Sequence, residues 1–221
     1  MPYRRTENVV RHLAAREQAI LAAATGIAAE SGMGAVQIAA VAAHAGIAAG
    51  TVYRYFPSKI DLIADLIAAV AARELAAMRA AGESAPGPLS ALAAAIATFA
   101  ARALHARRLT WAVTGEPVET QVNVLRLGFR RSLAAELEAR IRTAIDGGHL
   151  PEQDAAIAAP ATIGALLEGL VGPLAPPHDE DAAAQRAAVQ MTTLLALRAL
   201  GVIDARARGL VAQCVLPAAG P

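Results

Sequence analysis

The chain has 221 residues, of which 56% are hydrophobic but only 3% aromatic, so alanine supplies much of the apolar surface and helices are expected throughout. A formal charge of +1 does not by itself mark a nucleic-acid partner. The single cysteine, Cys214, excludes an intrachain disulfide, suits a reducing cytosol and leaves no set of thiols for zinc.

The opening MPYRRTEN lacks the apolar run of a secretion signal, so a soluble, cytoplasmic chain is expected. Positive charge gathers near this end: Arg4, Arg5, Arg11, Arg16, Arg54 and Lys59 face only Glu7, Glu17 and Glu30 up to position 59. Arg4 and Arg5 suit either a solvated terminus or a minor-groove arm. The first periodic segment, RHLAAREQAILAAATGIAAESG, puts Leu13, Ile20, Ala24 and Ile27 on one face and stops at Ser31-Gly32. A second helix over 37–45 turns Ile38 and Val41 inward and ends at Gly46. A third, AAGTVYRYF, is closed by Pro57. Ser31 to Tyr53 carries no formal charge and is long enough to cross a bilayer, but its glycines, Gln37 and His44 argue against a span.

A fourth helix begins at Ser58, a natural N-cap with Asp61 three residues on, and its apolar face is Ile60, Ile63, Ile67 and Val70. GESAPGP, residues 82–88, is the clearest break in the chain. Beyond it the periodicity predicts helices at roughly 89–105, 107–114, 118–146, 152–174, 181–200 and 204–215, with Pro160 expected to kink the fourth of these.

Two short helices joined at a glycine, the second rich in hydroxyl and aromatic groups, are what a helix-turn-helix requires. In IAAVAAHAGIAAGTVYRYFPSK, Gly46 can adopt the left-handed turn and Ile47 anchors it. Thr51, Tyr53, Tyr55 and Lys59 offer donors for phosphate oxygens, Gly50 permits close backbone approach, and Arg54 suits a base edge. Phe56 reads as core. The run AGIAAGTVYRYFPSKIDLI, together with Glu30-Ser31-Gly32, resembles the TetR family of regulators over roughly residues 12–70. The resemblance implies an all-α fold with a three-helix DNA-binding domain (1–57), a connecting helix (58–81) and a C-terminal helical domain for effector binding and dimerisation (82–221). It implies DNA contacts from Gln37, Ala49, Gly50, Thr51, Tyr53, Arg54, Tyr55 and Lys59. Where the family often has Ser or Thr at the recognition helix's N-cap, this chain has Ala48. Gln37 stands for the usual Thr, and Ala28 for an aromatic. With Ala39 and Ala49 where relatives place polar base readers, specificity is expected to lean on Arg54, Tyr53 and Thr51, aided by DNA shape.

In the C-terminal half, Phe99, Trp111, Leu125, Phe129 and Leu167 are candidates for an apolar effector pocket, with Trp111 as its wall, or for plain core. Nearby polar residues are His105, Thr110, Glu116, Asn123, Arg126 and Glu168. Glu116 and Glu168 would either meet a cationic ligand or form surface salt bridges. Ile163, Leu166, Leu170, Val189, Thr193, Ala196 and Leu200 form stripes assigned to a homodimer interface, as the resemblance implies. No nucleophile elbow, phosphate loop or metal-ligand cluster is visible, so neither enzyme, cofactor nor metal is expected. The expected function is that of a homodimeric, nucleoid-associated repressor of a pseudo-palindromic double-stranded operator, released by a small, largely apolar effector. An effector-independent DNA-binding protein is the alternative.

Overall fold

The alanine-rich sequence resolves into helices with no strand among the described residues, 7–177 and 181–214 of a computed structural model. Arg4, Arg5 and His178 lie outside them. In chain order the helices are α1 (Glu7–Ser31), α2 (Ile38–His44), α3 (Ala49–Tyr55), α4 (Lys59–Glu83), α5 (Pro88–His105), α6 (Arg107–Thr114), α7 (Thr120–Asp146), α8 (Ala155–Leu170), α9 (Ala182–Ala199) and α10 (Asp204–Gln213), with a 3-10 turn at Met33–Ala35. The all-α expectation holds. The 3-10 turn is a surprise, because Met-Gly-Ala carries no periodic pattern to announce it.

The amino-terminal helices enclose a small core. Ile20, Ala24 and Ile27 of α1 meet Val41 of α2, Val52 of α3 and Phe56, all buried. Ala28, which stands where relatives carry an aromatic, is fully buried here as well. The uncharged stretch 31–53 is thus cut into the end of α1, the 3-10 turn, α2 and part of α3. α2 ends in a Schellman-type closure: Ile47 N–H donates to the Ala42 carbonyl at 2.9 Å and Gly46 N–H to that of Ala43 at 3.2 Å. Gly46 takes φ +65, the left-handed conformation that fixes the angle between α2 and α3.

α4 starts with the capping box read from the sequence. Ser58 Oγ accepts from Asp61 N–H at 3.2 Å, and Ser58 N–H donates to Asp61 Oδ2 at 3.0 Å. It packs on α1 at one end and on α5 and α7 along its length, so it belongs to both halves. Buried Gly82 lets the Arg140 guanidinium lie against the α4 backbone, where any Cβ would collide with it. Glu136 receives Arg79 and Arg140, both at 2.8 Å, and Glu74 receives Arg102 at 2.6 Å. α5 forms the centre of the carboxyl-terminal half, with Leu92, Ile96 and Phe99 buried and α7, α8 and α9 against it. It is the helix, among the described residues, that is long and apolar enough to cross a membrane, and it is mostly enclosed by its neighbours. α8 is shorter than its sequence pattern: it continues through Pro160 but ends at Leu170, because Gly172-Pro173 cannot extend it.

Two substitutions test this local account by chemical denaturation. A Cβ on Gly46 would meet no atom within 4 Å, so Gly46→Ala should cost about 1 kcal/mol from backbone strain alone. Ser58→Ala should cost about 1 kcal/mol by removing the α4 cap.

Candidate nucleic-acid interface

α3 stands on Val52 and Phe56, which are buried, and this fixes what its other face presents. Tyr53 is 52% exposed and Arg54 is also exposed. Thr51 and Tyr55 are half-buried, and Tyr55 packs against the core. The two tyrosines therefore divide as their spacing requires, one outward and one against the core. Ala49 and Gly50 are exposed at the helix start, and no atom crowds Gly50. Ala48 occupies the N-cap with no side-chain hydrogen bond, so the α3 amino terminus keeps its N–H groups uncapped by side chains. Gln37 sits exposed at the α2 N-cap without capping it; its Nε2 donates to the Gly34 carbonyl at 3.0 Å. Lys59, first in α4, lies 3.7 Å from Glu119 across open solvent, a pairing weak enough for a phosphate to replace.

The placement of this surface depends on residues far away in sequence. Glu116, in the loop between α6 and α7, accepts Met33 N–H on Oε2 at 2.9 Å. Arg108 of α6 donates to the Ser31 carbonyl at 3.1 Å and to Glu116 Oε1 at 3.4 Å. Both side chains crowd Gly32, at φ +85, where a Cβ would fall 2.1 Å from the Arg108 guanidinium. From the other side, Arg126 of α7 donates through Nη1 and Nη2 to the carbonyls of Glu116 and Ala112. Arg126 is the one charged side chain, among the described residues, that is fully buried, at 1% exposure. Burial lowers its pKa, and the nearby Glu116 charge opposes that shift. It closes the carboxyl end of α6, where a cation is favoured. Glu116 thus forms the expected ion pair, with Arg108, and in addition accepts the Met33 N–H. Glu168 is likewise engaged, capping Leu174 N–H at 3.2 Å.

The candidate effector residues fall on four helices that pack pairwise: Phe99 on α5, Trp111 on α6, Leu125 and Phe129 on α7, and Leu167 on α8. Phe99, Phe129 and Leu167 are buried, and Trp111 and Leu125 are half-buried. The Trp111 ring lies on Gly115, where only glycine fits beneath it. His105 and Asn123 are exposed. Cys214 is half-buried, and burial raises its thiol pKa.

The stripe assigned to dimerisation needs correction. Ile163, Leu166, Leu170, Val189, Thr193, Ala196 and Leu200 are buried in the chain's own core. The outward faces of α8 and α9 instead carry Ile157 at 68%, Met191 at 72% and Leu195 at 60% exposure. A groove of about 440 Å³ between α8 and α9 is lined by Ile157, Ala161, Ala165 and Leu195 and, from the assigned stripe, by Leu166, Ala196 and Leu200.

A family profile described as bacterial regulatory proteins, tetR family, matches residues 20–66, which span the end of α1 through the first turns of α4. Residues 20–66 are thus similar to the amino-terminal segment of that family. The segment is similar to the HTH-type transcriptional repressor KstR of Mycolicibacterium smegmatis, 48% identical over 52 residues, and to that of Rhodococcus jostii, 46% identical over 52. These matches cover 24% of this chain and 26% and 24% of the two repressors, so the chain matches only about a quarter of their length. Over the whole fold it is similar to RolR bound to resorcinol, with TM-score 0.66 and 20% identity over 96% of this chain and all of that one. FadR from Bacillus subtilis bound to stearoyl-CoA gives TM-score 0.68 and 18% identity over 84% of this chain and 98% of that one.

The Glu116 contact gives a direct test. Glu116→Ala removes the acceptor from Met33 N–H and should cost about 1–3 kcal/mol. Hydrogen exchange at residues 31–36 should accelerate while that of α5 is unchanged.

Proposed function

We propose that the chain is a transcriptional repressor that binds a pseudo-palindromic double-stranded operator as a homodimer and is released by a small, largely apolar effector. The observation that carries the reading is the α3 face: a glycine-turned helix resting on Val52 and Phe56, presenting Tyr53 and Arg54 outward from a segment similar to named repressors. Residues 1–57 act as the reader, 58–81 as the connector and 82–221 as the effector-binding and dimerising part. Gln37, Ala49, Gly50, Thr51, Tyr55 and Lys59 supply mostly backbone contacts that set register, and Arg54 reads a base edge. The resorcinol and stearoyl-CoA complexes of the two similar folds support an effector held among α5 to α8, near Phe99, Trp111, Leu125, Phe129 and Leu167. The protein works on cytoplasmic, nucleoid DNA.

The exposed apolar faces of α8 and α9 support dimerisation. Ile157, Met191 and Leu195 are too large and too close together to be left in water without cost. Packed on a second copy they make a four-helix interface, which sets two readers about one DNA turn apart.

Fluorescence anisotropy with the promoter fragment beside the chain's own gene tests the function. Nanomolar binding at moderate salt is expected, and Arg54→Ala should weaken it by about tenfold or more and change the ranking of operator variants. No binding to any duplex at low salt would overturn the proposal. Leu195→Glu should give a monomer by light scattering and lose operator binding; a persisting dimer would place the interface elsewhere.

A further inference from the structure

α1 begins well before its core does. From Val9 to Ala19 every residue is exposed except Leu13, which is half-buried, and the first buried side chain is Ile20. Roughly 16 Å of helix therefore projects past the domain core. Such a segment gains little from packing and is marginal on its own. It does not project into empty space. Its inner side and α3 form the walls of a groove of about 490 Å³. Leu13 is part of the lining, His12 and Arg16 line the α1 wall, and Thr51, Arg54 and Tyr55 line the α3 wall.

The groove sets apolar Val9, Leu13, Ile47 and Ala48 beside basic and hydroxyl-bearing side chains, with no acid in its lining. Neither Arg16 nor Arg54 has an ion pair among the described residues. The Thr51 and Tyr55 hydroxyls and the His12 ring add hydrogen-bonding groups. Glu17, the nearest acid along α1, is turned about 100° from Arg16 around the helix and is not part of the lining. Two guanidiniums without ion pairs among the described residues, one on each wall, together with two hydroxyls and no acid, match an anionic ligand with an apolar flank, a phosphodiester of the sugar-phosphate strand. Thr51 and Tyr55 recur at helical spacing, so their flank of α3 is a different strip from the one that carries Tyr53, with exposed Arg54 between the two. The Thr51–Tyr55 flank, turned toward α1, suits the sugar-phosphate strand beside the base edges that Arg54 addresses.

We propose that the projecting half of α1 and the flank of α3 form a clamp on the DNA backbone, in which Arg16 and His12 contact a phosphodiester from one side while Thr51 and Tyr55 contact it from the other. The proposal rests on the DNA-reading function above and adds a binding wall outside the helix-turn-helix. Contacts of this kind are blind to sequence. They raise specific and non-specific affinity by the same factor and steepen the salt dependence.

The test uses the full chain, titrated at several salt concentrations against the promoter fragment and against an unrelated duplex of equal length. Arg16→Ala should weaken both complexes by the same factor, about three- to tenfold, and reduce the slope of log affinity against log salt by about one per subunit. His12→Ala should weaken both by a smaller common factor, and Arg16→Lys should recover most of the loss. Arg206→Ala, an equal charge change on α10, which does not pack against α1, should leave affinity and slope unchanged. An unchanged slope for Arg16→Ala, or an equal change for Arg206→Ala, would overturn the clamp while leaving the DNA-reading function standing. Absence of all binding by the unsubstituted chain would overturn that function and the clamp with it.

Discussion

The hydrogen bond from Met33 N–H to the Glu116 carboxylate ties the corner where α1 ends to the loop after α6. The amino-terminal helices share one continuous core with the rest of the chain, through α4 and through the packing of α1 on α6. Glu116 and Arg108 add directional polar bonds to that apolar packing. Apolar packing holds the two parts together, and the polar bonds select one orientation. Gly32 is the condition for this: its left-handed backbone turns the Ser31 carbonyl and the Met33 N–H toward α6, and its missing side chain leaves room for both partners. The direction in which α3 faces follows from that corner.

The same loop is held from inside by Arg126, whose two donations end α6 and anchor the Glu116 carbonyl. A cation is an expensive thing to bury, and here two carbonyl oxygens at a helix carboxyl end and the nearby Glu116 charge offset the cost, while Nε is left without a partner. The loop from Gly115 to Glu119 thus has an inner face tied to α7 and an outer face tied to α1 and, through Glu119, to Lys59 of α4. Alanine makes such tight supports possible: Ala95, Ala97, Ala100 and Ala103 of α5 are buried and let neighbouring helices approach closely.

What could be read in advance was what the chain encodes locally. Gly46, the Ser58–Asp61 pair and the Val52/Phe56 spacing each act within a few residues, so the helix-turn-helix and the start of α4 were visible in the sequence. Helices α5 to α7 followed from period and from glycine and proline stops. The Met33–Glu116 contact joins positions 83 apart and leaves no local trace; Glu116 looked like any surface acid. The face of α8 and α9 failed for a different reason. Both helices carry alanine or larger apolar residues almost all the way round, so a stripe through Ile163, Leu166 and Leu170 and one through Ile157, Ala161 and Ala165 fit the period equally well. Only the packed fold decides which is inside. The early start of α1 was missed because its first turns carry no apolar period at all.

The central claim is that the surface of α3, in the orientation set by the α6–α7 loop, is where DNA is held. Hydrogen–deuterium exchange of the full chain with and without its promoter fragment measures this most directly. The account predicts slowed exchange across residues 46–59 on DNA addition, with α8 and α9 unchanged at constant protein concentration. Protection confined to the carboxyl-terminal helices, with α3 exchanging as before, would contradict it.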